Sequence, residues 1–199
     1  PKGVTYRVMF DPTKFIEISI KEIVVTLITA LILVVAVTFL FLQDWRATII
    51  PSLAIPVSLL GTFPFMFFMG YSINVLTMFA LILVIGSLVD DAIVVVENVM
   101  VGIEEGLSPK EATRRGMKQI TGAIIATTLV SVAIYIPIGF YGGMVGEIYL
   151  QFAVVMSVAL IISTINALTL SPALCVMILR AKKDYGLSDK LIYGACAPV

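Results

Sequence analysis

Long stretches without Asp, Glu, Lys or Arg constrain the fold of this 199-residue chain more than any other feature. They cover residues 23–43, 47–89, 120–146 and 148–179. A helix needs about 20 apolar residues to cross a membrane. The stretches therefore predict an all-α integral membrane protein with a bundle of five transmembrane helices. We place the spans near residues 23–42, 48–69, 73–96, 122–140 and 152–174.

Composition supports this class and excludes others. The chain is 60% hydrophobic and only 13% charged, with a mean hydropathy of +1.09, whereas a soluble domain is about a quarter charged. Its basic and acidic residues balance at thirteen each, so no strong basic field attracts nucleic acid. Histidine is absent, which excludes His-based catalytic dyads and histidine zinc sites. Two cysteines, Cys175 and Cys196, are too few for a disulfide framework or a metal cluster. We expect no catalytic residue, no cofactor and no bound metal.

The two ends of the chain are expected to lie outside the bundle. The segment Gly3–Phe10 has the period of a half-buried strand, and Asp11–Thr13 has the composition of a turn. In the first segment Val4, Tyr6, Val8 and Phe10 alternate with Thr5, Arg7 and Met9. A lone strand cannot satisfy its hydrogen-bonding ladder, so we interpret residues 1–18 as the edge of a larger extracytoplasmic sheet. The alternative is a terminal segment without fixed structure. The bundle then covers residues 19–180, and residues 181–199 form a tail.

Helix-start patterns and prolines add local detail. Ser19–Glu22 and Ser108–Glu111 both fit a capping box. The second box precedes the charged segment Pro109–Gln119, which we interpret as a short amphipathic helix at the membrane surface, with a solvated connector as the alternative. Prolines in the second span predict a kinked and tightly packed helix. They are Pro51, Pro56 and Pro64.

Basic residues orient the bundle, because cytoplasmic flanks collect Lys and Arg. The N-terminal side holds four of them: Lys2, Arg7, Lys14 and Lys21. The opposite side holds nine: Arg46, Lys110, Arg114, Arg115, Lys118, Arg180, Lys182, Lys183 and Lys190. We therefore expect the amphipathic helix and the tail to be cytoplasmic.

Two adjacent carboxylates, Asp90 and Asp91, lie within the apolar third span. An ionised carboxylate there costs about 2.5–3.5 kcal/mol on insertion scales, so it must be protonated or paired with a cation. The spans themselves contain no Lys or Arg. We expect both side chains to face the bundle interior and to titrate as a coupled pair. A carboxylate pair that binds and releases protons inside a membrane is typical of a proton relay.

Other readings of this segment stay open. If the helix ended at Val89, the aspartates would lie at the membrane interface as ordinary polar ends. We expect Ser87, one turn before Asp90, and Asn74 to support the pair, and Glu97 with Asn98 to solvate the helix end. Asn166 is expected to bond across to another helix.

Several segments, in order, resemble the resistance-nodulation-division exporters, specifically their hydrophobe/amphiphile multidrug efflux branch. They are FIEISIKE (15–22), FLFLQDWRATIIP (39–51), LLGTF (59–63), YSINVLTMF (71–79), GSLVDDAIVVVEN (86–98), GLSPKEAT (106–113) and LSPALC (170–175). The likeness covers about residues 1–180. It implies the second to sixth transmembrane helices of the N-terminal half of such an exporter, with residues 1–18 as the end of the periplasmic porter region.

The resemblance implies a proton/drug antiporter of the bacterial inner membrane, in which Asp90 and Asp91 bind the protons. It further implies a homotrimer coupled to a periplasmic adaptor and an outer-membrane channel, with amphiphilic drugs as substrates. The lysine that pairs with the aspartates belongs to the second half of the family's chain, which this sequence lacks. A basic residue common after the Glu-Asn pair is replaced here by Met100-Val101. We therefore expect the chain to be inactive alone.

Three other functions fit part of the sequence. An intramembrane aspartyl protease needs aspartates from different helices, whereas Asp90 and Asp91 are neighbours on one. The second is a truncated module with a structural or assembly role, which would have the same hydropathy pattern as this chain. A lipid or metal exporter of the same superfamily is the third, although metal exporters typically keep a single acid where this chain has two.

Overall fold

The computed structural model describes residues 12–179, which form five helices joined by short connections and include no strand. The helices are α1 (Pro12–Leu42), α2 (Trp45–Phe68), α3 (Val75–Glu104), α4 (Pro109–Gly139) and α5 (Met144–Ile178). Each contains a segment long and apolar enough to cross a membrane. The expected all-α multi-pass membrane bundle is confirmed. The expected strand and tail lie outside the described residues.

Helix α1 begins at Pro12, well before the predicted span at Ile23. Ser19–Glu22 lies within this helix, so the capping box predicted there is wrong. The predicted turn Asp11–Thr13 begins outside the described residues, and its last two residues are helical.

The second predicted capping box is confirmed. The Ser108 side chain accepts a hydrogen bond from the Glu111 backbone N–H, and the Glu111 carboxylate accepts one from the Ser108 N–H. Helix α4 then runs unbroken to Gly139. The charged segment Pro109–Gln119 is therefore the first three turns of this helix and not a separate short helix, since no proline interrupts the chain before Pro137.

Helix α2 stays a single helix despite its three prolines. Its buried residues, among them Ile50, Ile55 and Thr62, lie on one face. Four hydroxyls along it donate to the carbonyl one turn earlier: those of Thr48, Ser52, Ser58 and Thr62. Hydroxyls that bond to their own helix in this way place little polar surface against lipid.

Helix α3 packs against each of the other four helices. The Asn74 side chain caps its first turn by accepting from the N–H groups of Leu76 and Thr77. The helix continues past Val89 to Glu104, so the reading that it ends before the aspartates is wrong. It also continues beyond Glu97 and Asn98, which therefore do not solvate its end. Asp90 lies at the middle of α3, about 22 Å along the axis from Val75.

Two apolar clusters form the core along α3 and α5, and α2 and α4 each pack against both helices. The first cluster includes Leu59, Val84, Leu88 and Leu160. The second includes Ile50, Val95, Val99, Ile124 and Cys175. Asp90 and Asp91 fall between the two clusters in α3.

Candidate functional site

A layer of polar side chains separates the two apolar clusters. In α3 the first cluster ends at Val89 and the second begins at Val95. In α5 the corresponding boundary lies between Leu160 and Ala167. We call the polar residues at this level the polar layer, which consists of Ser58, Asp91, Thr128, Ser163, Thr164 and Asn166.

Helix α5 connects this layer to the other helices. Ser163 Oγ donates to the Leu88 carbonyl of α3 at 3.1 Å. Asn166 Nδ2 donates to Ser58 Oγ of α2 at 2.9 Å, which confirms the interhelical contact predicted for this asparagine. Interhelical hydrogen bonds in membranes average about 0.6 kcal/mol and reach about 1.7 kcal/mol. Several of them at one level hold α5 in a defined register against its neighbours.

Thr164 links Asp91 to the other helices of this layer. Its Oγ1 donates to Asp91 Oδ2 at 3.2 Å and lies 2.6 Å from Thr128 Oγ1 of α4. The Thr164 side chain is buried and that of Asp91 is half-buried. One carboxylate of α3 is thus linked to α5 directly and to α4 through a second hydroxyl.

The two aspartates have different surroundings. Asp90 is exposed, whereas Asp91 is turned towards α5. Successive side chains on a helix point about 100° apart, so both cannot face α5. Within residues 12–179, Asp91 therefore faces the interior, whereas Asp90 faces a side that the described helices leave uncovered.

Asp90 belongs to a side of α3 that no described helix covers. We call this side the outer face of α3, and its exposed residues are Leu83, Gly86, Ser87, Asp90, Val94, Glu97 and Val101. From Leu83 through Ser87 to Val101 they follow one another at alternating steps of four and three residues, which is the spacing of a seam against another helix. A face with two carboxylates is also unsuited to lipid.

The two residues that we expected to support the pair, Ser87 and Asn74, lie at very different distances from it. Ser87 lies one turn before Asp90 on the outer face, as its spacing predicted. Asn74 caps α3 and donates to Gln151 Oε1 at 3.4 Å, about 24 Å along the helix from Asp90, so it does not reach the pair.

The supporting residues that the sequence did not identify are Thr164 and Thr128. Both were visible only as hydroxyls within apolar spans, which in most membrane helices bond to their own backbone. Chemically, the site offers one carboxyl that is accessible from the outer face and one that is hydrogen-bonded within the bundle. Such a pair can bind and release protons and can transmit the change to α4 and α5.

Comparison with known proteins agrees with this architecture. The model of the AcrB/AcrD/AcrF family matches residues 1–193. The multidrug export protein AcrF of Escherichia coli K12 is 50% identical over 181 residues, which are 90% of this chain and 18% of that protein. The toluene efflux pump membrane transporter TtgE of Pseudomonas putida is 50% identical over 191 residues, 96% of this chain and 18% of its own length.

The solvent-resistant pump membrane transporter SrpB, also of Pseudomonas putida, is likewise 50% identical, over 182 residues that make up 91% of this chain and 17% of that protein. The chain thus spans less than a fifth of the length of these curated relatives. The family match covers nearly the whole chain and includes all five helices and the acidic pair. The chain belongs to the AcrB/AcrD/AcrF family of resistance-nodulation-division multidrug efflux transporters.

Proposed function

We propose that this chain is part of a drug/proton antiporter of the bacterial inner membrane, with Asp90 and Asp91 as the proton relay. The observation that carries the proposal is the position of the acidic pair at the middle of α3, with Asp91 joined to the other members of the polar layer through Thr164. An ionised carboxylate at this depth costs free energy, and such residues in membrane helices typically have a function. Proton binding removes that charge, and proton release restores it.

The outer face of α3 supports the proposal that further helices complete the site. Asp90 and Glu97 both lie on it, seven residues apart, and α3 itself contains no Lys or Arg. A helix packed along this seam and carrying a lysine would neutralise Asp90 when the aspartate is ionised, and would release it on protonation. We assign that lysine to the second half of the full transporter.

The remaining parts of the proposal follow from membership of the family. The relatives' names describe multidrug, solvent and toluene export, which supports amphiphilic organic substrates for the transporter to which this chain contributes. We propose that it works as a homotrimer with a periplasmic adaptor and an outer-membrane channel. The 199-residue chain by itself would not transport, because Asp90 then lacks its cationic partner.

The test uses a chimaeric transporter in which this sequence replaces the matching segment of E. coli AcrF, expressed in a strain without its own drug pumps. Asp90→Asn and Asp91→Asn each place an uncharged amide of nearly equal size at the site. We expect either substitution to reduce drug resistance to that of cells without the transporter. We also expect each to abolish drug-induced proton release from proteoliposomes.

The matched control is Glu97→Gln. It removes a carboxylate from the same helix and the same outer face, one heptad after Asp90, and we expect it to retain resistance. Membrane levels of all variants are compared by quantitative immunoblotting. If Asp90→Asn or Asp91→Asn gives normal resistance at equal expression, the relay assignment is wrong.

A further inference from the structure

Thr164 has more hydrogen-bond neighbours than its single hydrogen can serve. Its Oγ1 lies 3.2 Å from Asp91 Oδ2, 3.0 Å from the Leu160 carbonyl oxygen and 2.6 Å from Thr128 Oγ1. A hydroxyl offers one hydrogen and two lone pairs. The state of its neighbours therefore decides which way the Thr164 hydrogen points.

Thr128 is in the same position one step further from the carboxylate. Its Oγ1 lies 2.8 Å from the Ile124 carbonyl oxygen of its own helix as well as 2.6 Å from Thr164 Oγ1. Together the two threonines have two hydrogens for four close contacts. The Asp91 carboxyl is the one member of this chain of contacts that can change from a pure acceptor into a donor.

We propose that Thr164 and Thr128 form a hydroxyl switch, which reverses its direction when Asp91 gains or loses a proton. The proposal rests on the proposed function of Asp91. With Asp91 ionised, Thr128 donates to Thr164 and Thr164 donates to Asp91 Oδ2. With Asp91 protonated, its O–H donates to Thr164, Thr164 donates to Thr128, and Thr128 donates to the Ile124 carbonyl.

The switch exchanges a single proton with water. Asp91 takes one proton from water and later returns one to water. The two hydroxyl hydrogens stay on their own oxygens and only rotate about the Cβ–Oγ1 bonds. No proton passes through the threonines, so they position and sense the carboxyl without conducting protons.

The two directions differ in strength. A hydrogen bond to a carboxylate is roughly twice as strong as one between neutral groups. The ionised state therefore holds α3, α5 and α4 together through Asp91, Thr164 and Thr128. In the protonated state the bonds are neutral and the Thr128 hydrogen turns back to its own helix. The contact of α4 with α5 thereby responds to the charge on α3.

Among the other charged residues, Asp90, the neighbour of Asp91 on α3, has the main effect on this switch. Basic and acidic residues of α4 end at Lys118, about 15 Å along the helix from Thr128, and Glu147 of α5 lies about 25 Å from Thr164. Those of α1 and α2 lie in or beside the first turns of these helices. They are Lys14, Glu17, Lys21, Glu22, Asp44 and Arg46.

The experiment measures the pH dependence of drug efflux by the same chimaeric transporter in liposomes. Thr164→Val keeps the shape of the side chain but removes the donor to the ionised carboxylate. We expect the midpoint of the pH profile to move by about one pH unit towards alkaline pH, from the typical strength of a hydrogen bond to a charged group. Thr164→Ser restores the wild-type midpoint. Thr128→Val gives a smaller shift in the same direction.

Ser163→Ala is the matched control. It also removes a hydrogen bond from α5 to α3, but that bond ends on the Leu88 carbonyl and not on a carboxylate. We expect its midpoint to stay at the wild-type value even where the rate falls. An equal shift in this variant would show a packing effect and would overturn the switch.

The switch is also overturned if Thr164→Val keeps the wild-type midpoint while Asp91→Asn is inactive. Should Thr164→Val fail to reach the membrane, Thr128→Val decides in its place, and an unshifted midpoint there counts against the switch. Failure of the proposed function looks different, because Asp91→Asn would then retain pH-dependent efflux.

Discussion

The two faces of α3 differ in almost every property except their position in the membrane. The inner face, formed by Val84, Leu88, Ala92, Val95 and Val99, is almost completely buried against the other helices. The outer face, which includes Gly86, Asp90 and Glu97, is exposed along the same turns. Helix α3 is therefore packed against other helices on its inner face, while the described helices leave its outer face uncovered.

The comparison shows that polarity, and not exposed apolar area, marks the unfinished interface of a membrane protein. Lipid is as apolar as leucine, so an exposed Leu83 or Val94 needs no partner. Asp90 and Glu97 do need one, since charge in contact with lipid is costly. The predictions below compare the two faces through the free energy of unfolding of the chain in detergent micelles, measured by circular dichroism during titration with dodecyl sulfate.

The largest effect is expected at a close contact between α3 and α4. A Cβ at Gly102 would lie 2.9 Å from Ala112 Cβ and 3.2 Å from Ala112 Cα, which cannot move without the α4 backbone. Gly102→Val should lower the free energy of unfolding by about 3 kcal/mol, the upper range for overpacking. Gly86→Val on the outer face is the control, since nothing lies within 4 Å of its Cβ position. Equal losses in both variants would show that the loss does not come from the close approach of α3 to Ala112.

A cavity on the inner face should have the next largest effect. Leu88 is 1% exposed, whereas Leu83 on the outer face is 48% exposed. Leu88→Ala should lower the free energy of unfolding by about 1–2 kcal/mol. The loss comes mainly from the cavity left behind, at roughly 24 cal/mol per Å³ of cavity volume. Transfer of the leucine side chain between lipid and the bundle interior adds little, because lipid is as apolar as leucine. Leu83→Ala should change it by less than about 0.5 kcal/mol. If the two values agree, the faces are not distinct in solution.

The spans were predictable from sequence because an unpaired charge is costly in lipid, and each charge-free stretch covers a large part of at least one helix. Helix ends were less predictable. Hydropathy says nothing about turns that project beyond the hydrocarbon, so the start of α1 at Pro12 and that of α5 at Met144 were missed. The capping box predicted at Ser108 is present and the one predicted at Ser19 is absent, because such a sequence can cap a helix only at its first turn.

The site was half predictable for a similar reason. Two acids within an apolar run are visible in the sequence, but their partners depend on how α5 lies against α3. Thr164 is 73 residues from Asp91 along the chain, and its register is set by packing alone. Asn74 was misplaced because an amide that caps a helix has the same composition signal as one that supports a buried acid.

A smaller effect is expected at the turn that joins the end of α3 to α4. Arg115 and Glu105 form an ion pair with N···O 2.8 Å, but their side chains are 57% and 51% exposed. Exposed pairs contribute about 0.2–1 kcal/mol and weaken with salt. Arg115→Gln should therefore lower the free energy of unfolding by less than about 1 kcal/mol, and the loss should shrink at high salt. A larger, salt-independent loss would make this turn part of the inner interface.

The smallest change in the bundle should come from filling the outer face itself. Gly86 lies one turn before Asp90, and Gly86→Leu adds a side chain into open space, so the free energy of unfolding of the isolated chain should stay within about 0.5 kcal/mol of its original value. In the chimaeric transporter the same leucine would meet the helix that we propose to cover Asp90, and drug resistance should fall several-fold at equal expression. The control is Gly122→Leu on α4, also in open space but away from the outer face, which should leave resistance unchanged. Unchanged resistance with Gly86→Leu would mean that lipid or water, and not protein, covers this face, and Asp90 would then need a source of neutralisation other than a packed lysine.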